Sequence, residues 1–164
     1  MNRSIYVTDT NIWIDLRDGY VIAEVFDLPY RFSCPDLAKD ELKDPDWKAL
    51  QKYGLRFSTL SSALMLELMT LKVEYPGLSV TDIGAFILAR KEAAILLTGD
   101  GKLRKVADER GLAVHGTLWL LDEMYRLEVL DARRAANALD EMLKSGSRFP
   151  DDECQSRFSR WRSS

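Results

Sequence analysis

The chain has 164 residues, of which 46% are hydrophobic, 30% charged and 10% aromatic. That is about one ordinary domain, on the order of 150 residues, and it excludes a disordered chain, a fibre and a small disulfide scaffold. The 23 Lys and Arg against 26 Asp and Glu leave a net charge of -3. This argues against a protein that coats nucleic acid by charge alone. It leaves nucleic acid open as a substrate, because metal-binding carboxylates themselves make a chain acidic.

The ends and the cysteines carry less information. Cys34 and Cys154 form no CxxC or zinc pattern and read as reduced thiols. The start, MNRSIYVTDT, lacks the apolar stretch of a leader. No window reaches the roughly 18 uninterrupted apolar residues of a spanning helix. The expectation is a cytoplasmic protein with no membrane segment.

In chain order, strand-like and helix-like runs alternate. Ser4–Thr8 is a β-rich run. Asn11–Arg17 starts a helix, with Asp9 or Thr10 available as its cap. Arg31–Cys34 is a second strand, after which Pro35-Asp36 opens a helix to about Lys43, broken by Asp44-Pro45-Asp46. Leu55–Ser58 is a third strand. Leu60–Glu74 is a long apolar helix stopped by Pro76-Gly77. Its Leu64, Met65, Leu68, Met69 and Leu71 exceed what one buried face needs, so a partner protein or a second copy is expected to cover the excess.

Ser79–Arg90 is the next helix, with Ser79 and Asp82 as a capping pair. Ala93–Leu97 is continuously apolar, as a strand buried on both faces is. Thr98-Gly99-Asp100-Gly101 is a turn. Lys102–Arg110 is an amphipathic helix ended by Gly111, and Leu112–His115 is a last strand. Thr117–Leu127 and Ala132–Lys144 are helices, the second with Ala132, Ala135, Ala136, Leu139, Met142 and Leu143 on one face. Gly146 stops it. Residues 147–164 read as a polar, partly mobile tail, set apart from a domain at 1–146. The tail's last eight residues hold three Arg, one Trp, one Phe and no acid.

Such alternation predicts an α/β fold in three layers, with a central parallel sheet of four to five strands covered by helices on both faces. Ligands of such sheets bind beyond the carboxyl ends of the strands, where strand order reverses. Acids recur there. Asp9 follows the first strand, Asp100 follows the central apolar strand, Asp82 begins the helix that feeds it, and Glu41 lies on the helix after the second strand. If the four converge, only a cation makes the pocket stable. Oxygen-only donors select a hard ion such as Mg²⁺ or Mn²⁺, and such an ion equips the site for phosphodiester hydrolysis.

Each acid also has a plainer role on its own. Asp9 serves as a helix cap, Asp82 as part of a capping box, Asp100 as the start of an Asp-Gly turn, and Glu41 as a solvated helix acid with Asp40 and Asp44 as competitors. His115, the single histidine, has no nucleophile motif beside it and reads as structural. Trp13, Trp119 and Phe86 read as core or subunit interface.

Taken together, Asp-Thr-Asn after the first strand, Pro-Asp-Leu-x-x-x-Glu-Leu, Thr-Asp at a helix start and Leu-Leu-Thr-Gly-Asp-x-x-Leu resemble a PIN domain. The run from Gly111 to Met124 is also similar to PIN proteins of the VapC-like group. The resemblance covers roughly residues 4 to 145, with the Thr-Gly-Asp turn its most specific part. It implies a metal-dependent ribonuclease in which Asp9, Glu41, Asp82 and Asp100 hold Mg²⁺ or Mn²⁺ and Asn11 and Thr98 support the first and fourth acids. A further acid common after the fourth is absent, since Gly101, Lys102 and Leu103 follow, which bears on a second metal.

The resemblance further implies an RNA substrate, a homodimer and, in the toxin setting, a small antitoxin as partner. Lys102, Arg104 and Lys105 are candidate contacts to the RNA backbone, as are Arg157, Arg160 and Arg162 with Trp161. The competing class is a PIN-like module that binds or assembles without catalysis. A haloacid-dehalogenase-type phosphatase needs a second Asp where Asn11 stands. A receiver domain needs a late Lys where Gly116-Thr117 stands.

Overall fold

Five short strands pair into one parallel sheet in the order β3-β2-β1-β4-β5. They are β1 (Ser4–Thr8), β2 (Tyr30–Pro35), β3 (Arg56–Ser58), β4 (Ile95–Leu97) and β5 (Val114–His115). The computed structural model describes residues 3–163. Residues 1, 2 and 164, at the ends of the expected domain and tail, lie outside the described residues. The class is α/β, a five-stranded parallel sheet flanked by helices, as the alternation of runs requires. Among the described residues no helix is long and apolar enough to cross a membrane.

The chain forms two compact units. One comprises residues 3–12 and 29–116 and holds the whole sheet. At its centre, β1 pairs with β2 on one side and β4 on the other, with Val7 opposite Leu96 and Thr8 opposite Leu97. The chain runs outward from β1 to β2 and β3, then returns to β4 beyond β1. Strand order therefore reverses between β1 and β4, the place where such sheets leave a crevice at their carboxyl ends.

Helix α5 (Val80–Lys91) packs on β1, β2 and β4. It is buried from Ile83 through Ala89, because a helix that is apolar all round has no face to offer water. Gly84 is part of that fit. A Cβ there would stand 3.2 Å from Leu37 Cδ1 and 3.6 Å from Pro35 Cβ. The expected capping pair is a complete box, Ser79 Oγ accepting from the Asp82 N–H and Asp82 Oδ2 from the Ser79 N–H, both at 3.0 Å.

Helix α4 (Ser62–Glu74) lies against α5. Of its apolar excess, Leu68 and Leu71 are buried, while Leu64 and Met65 pack against the core. Leu66, Met69 and Val73 are exposed by 67%, 63% and 83%. Helix α6 (Gly101–Glu109) completes the unit's long helices, burying Leu103, Val106 and Ala107.

Two expectations in this unit change. The helix expected from Asp36 to Lys43 is a 3-10 turn, Asp36–Asp40. It ends where the chain doubles back into an antiparallel bridge between Lys43 and Asp46. A further helix, α3 (Trp47–Tyr53), follows with Leu50 as its buried residue. One buried residue gives no periodicity to read.

The second unit, residues 13–28 and 117–163, is helical. The chain enters it within α1 (Thr10–Asp18) and adds a short α2 (Ile22–Val25), α7 (Thr117–Arg126), α8 (Ala132–Lys144) and α9 (Asp151–Arg162). Trp13 is fully buried and stacks on Phe26 with ring centroids 5.4 Å apart. The residues expected to form a polar, mobile tail instead form α9. Cys154, Phe158 and Trp161, spaced four and three apart on one face, are buried, and Arg157 and Arg160 are ion-paired to Asp122. Those side chains are engaged within the fold.

Asp15 ties this unit together. Its carboxylate accepts hydrogen bonds from Thr117 Oγ1 and Ser147 Oγ, each at 2.7 Å. Burial disfavours the charge more than these hydroxyls favour it, with Asp18 adding repulsion, so the carboxyl is held above its ordinary value. The folded chain therefore binds this proton more tightly than the unfolded chain. The stability it contributes is full below the unfolded value and is lost as pH rises through the raised folded one. Asp15→Asn, which keeps polar partners for both hydroxyls without the charge, is expected to melt at least as high as wild type at pH 7. Its advantage should shrink at pH 4. A variant with the same deficit at both pH values would contradict this.

Candidate metal and nucleic-acid site

The carboxyl ends of β1 and β4 are adjacent, and the residues that follow them are joined. The Asp9 N–H donates to Leu97 O at 3.0 Å, which extends the strand pairing by one residue. Asp9 is buried at 1% exposure. Its Oδ1 accepts from the Ile12 N–H at 3.1 Å, capping the start of α1. Its Oδ2 accepts from the Thr98 hydroxyl. The same Thr98 Oγ1 accepts from the Asp100 N–H at 3.0 Å. One buried threonine thus links two of the expected acids.

Asp100 in turn caps α6. Its Oδ1 accepts from the Lys102 N–H at 2.8 Å and the Leu103 N–H at 3.4 Å. The partly positive helix start favours a carboxylate there. Glu41 is held from two sides, by Thr10 Oγ1 at 3.0 Å on Oε2 and by Thr81 Oγ1 at 2.9 Å on Oε1. Thr10 follows Asp9 and Thr81 precedes Asp82. The Glu41 carboxylate therefore sits between the two segments that carry those acids, although it comes from an exposed turn.

Asp82 is the acid least committed to the crevice. One oxygen closes the α5 capping box, so its plainer role is filled. Thr98, expected to support an acid, is hydrogen-bonded to Asp9 and to the Asp100 N–H. Asn11, expected to do the same, is exposed on the first turn of α1. Arg104, read as an RNA contact, donates instead to Thr98 O at 3.4 Å. Lys102 and Lys105 are exposed. His115 continues the sheet, its carbonyl accepting from the Thr98 N–H at 3.0 Å. Thr10, read from the sequence only as a candidate cap, and Thr81 position Glu41, and each adjoins another candidate acid.

The donor chemistry fits a hard divalent ion. All four candidates offer oxygen. The hydrogen-bond partners of Glu41, Asp82 and Asp100 are hydroxyls and backbone amides, none of them a cation. The arrangement is looser than the chemistry. Among the described residues no three His, Cys, Asp or Glu side chains are grouped closely enough to hold an ion.

A sheet with this reversal and acids at its central strand ends is the build of an α/β domain whose site lies at the carboxyl edge of the sheet. The sequence matches the family described as DUF3368: PIN domain over residues 5–163, and the chain belongs to that family. The match runs through α9. PIN domains are generally nucleases and generally depend on a divalent metal. The chain is also similar to a PilT N-terminus domain protein from the hyperthermophilic archaeon Sulfolobus solfataricus P2. That likeness has a TM-score of 0.47 at 14% identity and covers 72% of this chain and 91% of the other. No curated protein matches the sequence.

Proposed function

We propose that this chain is an Mg²⁺- or Mn²⁺-dependent endoribonuclease, the toxin half of a type II toxin–antitoxin pair. The observation that carries the reading is the Thr98 bridge between Asp9 and Asp100 at the reversal of strand order. Asp9, Glu41 and Asp100 are the residues that would hold the ion, with Asp82 contributing through Oδ1. Bound there, a divalent ion supplies an activated water and neutralises charge on the phosphate and the leaving oxygen.

The chain's own residues orient the donors. Thr98 fixes the Asp9 carboxylate from a fully buried position. Thr10 and Thr81 hold Glu41 at the crevice. The first turn of α6 holds Asp100. Fixed donors of this kind lose little freedom when a reaction begins.

The apolar Leu66, Met69 and Val73 on the outer face of α4 support a protein partner, whether a second copy in a homodimer or the apolar segment of an antitoxin. We place the protein in the cytoplasm, a reducing setting that suits the buried thiols of Cys34 and Cys154.

A second reading is favoured by the looseness of the acids and by the capping role of Asp82: a PIN module that binds or assembles without cutting. A mixed RNA pool incubated with and without Mn²⁺, wild type beside Asp100→Asn, separates the two. The nuclease reading expects cleavage that needs the metal and is lost in the variant, with a melting temperature that Mn²⁺ raises. No cleavage and no rise would establish the binding module.

A further inference from the structure

A cleft of about 320 Å³ opens between the turn joining α4 to α5 and the outer face of α6. Its walls are Tyr75, Pro76 and Leu78 on one side and Lys102, Lys105 and Val106 on the other, with Glu74 and Glu109 at the rim. The volume is at the small end of ligand clefts, roughly 300–1,000 Å³. It has room for one nucleotide and none for a duplex.

The charges of the cleft are not balanced. Glu74 is paired with Arg110 at 3.3 Å, and Arg110 also donates to Tyr75 Oη at 3.3 Å while covering the tyrosine ring. Lys102 and Lys105 make no ion pair among the described residues. Only Glu109 opposes them, so the cleft carries net positive charge on a chain whose total is -3. Two ammonium groups above an apolar wall match a nucleotide, with its anionic phosphate and flat, largely apolar base.

Gly77 puts no side chain on the cleft wall beside Lys102. A Cβ there would point at that lysine, 3.5 Å from its Nζ. The cleft is also tied to the candidate catalytic acids through the backbone. The Lys102 N–H is the one that holds Asp100. The turn that forms the other wall runs into Ser79, whose N–H is held by Asp82.

We infer that this cleft is a subsite for one unit of a single-stranded RNA, flanking the unit at the acids. The inference rests on the nuclease reading above. Lys102 and Lys105 hold the phosphate, and Tyr75, Leu78 and Val106 support the base. Gly77 leaves the wall beside Lys102 bare, and a side chain as long as leucine there would take up the space we assign to the base.

The test uses the full chain carrying Asp100→Asn, in EDTA, so that binding is read without cleavage. The probe is a fluorescein-labelled single-stranded RNA of ten nucleotides and mixed sequence, titrated at several salt concentrations. Lys102→Ala with Lys105→Ala is expected to lower the salt slope of log affinity by about 1.4, from about 0.7 per phosphate contact on a single strand. Affinity at low salt should fall roughly tenfold or more. Gly77→Leu is expected to weaken binding with no change of charge. Lys48→Ala with Lys52→Ala, on exposed positions of α3, is the comparison and is expected to leave the slope unchanged.

The subsite is overturned if Gly77→Leu binds as tightly as its parent, or if the α3 pair carries the slope instead. Cleavage by the wild-type chain is scored separately. Absence of cleavage with the slope loss intact would refute the nuclease reading alone. Metal-dependent cleavage without slope loss would refute the subsite alone.

Discussion

Asp9→Asn is expected to reduce metal-dependent RNA cleavage by at least about 10³-fold while the chain stays folded. Asp9 is the one candidate acid that is fully buried, placed by the strand pairing itself through its N–H to Leu97 O. Its charge cannot be replaced by a neighbour swinging in from solvent. The amide keeps the volume and one accepting oxygen, so the cap of α1 survives and the melting temperature should fall by only a few degrees. What is lost is a negative donor. Metal-supplied stabilisation of this kind is worth several kcal/mol, and about 4 kcal/mol is a thousandfold in rate.

Thr98→Val probes the same point through the residue that orients Asp9. It removes the hydroxyl that serves both Asp9 and the Asp100 N–H, and an intermediate loss of rate is expected, with Thr98→Ser restoring much of it. Rate measurements over a range of Mn²⁺ concentrations would sharpen the reading, since a variant with a looser site needs more metal for half its activity. Full cleavage by Asp9→Asn would remove this residue from the site, whatever its effect on stability.

The sheet and its crevice were legible in the sequence because they depend on local composition. Ile95, Leu96 and Leu97 can only be a buried strand in this setting. Asp9 follows β1 directly and Asp100 lies three residues past the end of β4, so a parallel sheet brings them to one edge without any knowledge of side-chain packing. Glu41 was harder, because Asp40 and Asp44 compete with it on the sequence. What singles it out is a pair of hydroxyls, Thr10 and Thr81, that arrive from two other elements. No spacing rule contains that coincidence. Asp82 shows the reverse. Its capping role is local and was readable, and that role is what the structure fills. Asn11 is exposed, and position in a motif does not fix which way a side chain on the first turn of a helix points. Helix α3 was missed for want of buried residues. Helix α9 was missed although Cys154, Phe158 and Trp161 keep a helical spacing, because the arginines between them dominate its composition.

Trp161→Ala is expected to destabilise the protein by about 3–5 kcal/mol, the range for emptying the site of a large buried aromatic. In a chain of this size that lowers the melting temperature by on the order of 10 °C. The indole is 1% exposed and meets Tyr125 edge to face at 6.1 Å. It anchors α9, which packs on α8 and is pinned to α7 by Arg157, whose Nε and Nη2 donate to the two oxygens of Asp122 at 3.0 and 2.7 Å. Trp161→Phe separates packing from polarity. The indole N–H has no acceptor among the described residues, and an unpaired buried donor costs about 1–3 kcal/mol. Phenylalanine keeps most of the contact and removes that donor, so its loss should be well under half that of alanine. A chain ending at Gly146 loses the whole helix and exposes the face it covers, and it should be less stable than Trp161→Ala and prone to associate. If instead the shortened chain melts where the full chain does, α9 contributes nothing to the fold and residues 147–164 are a tail after all.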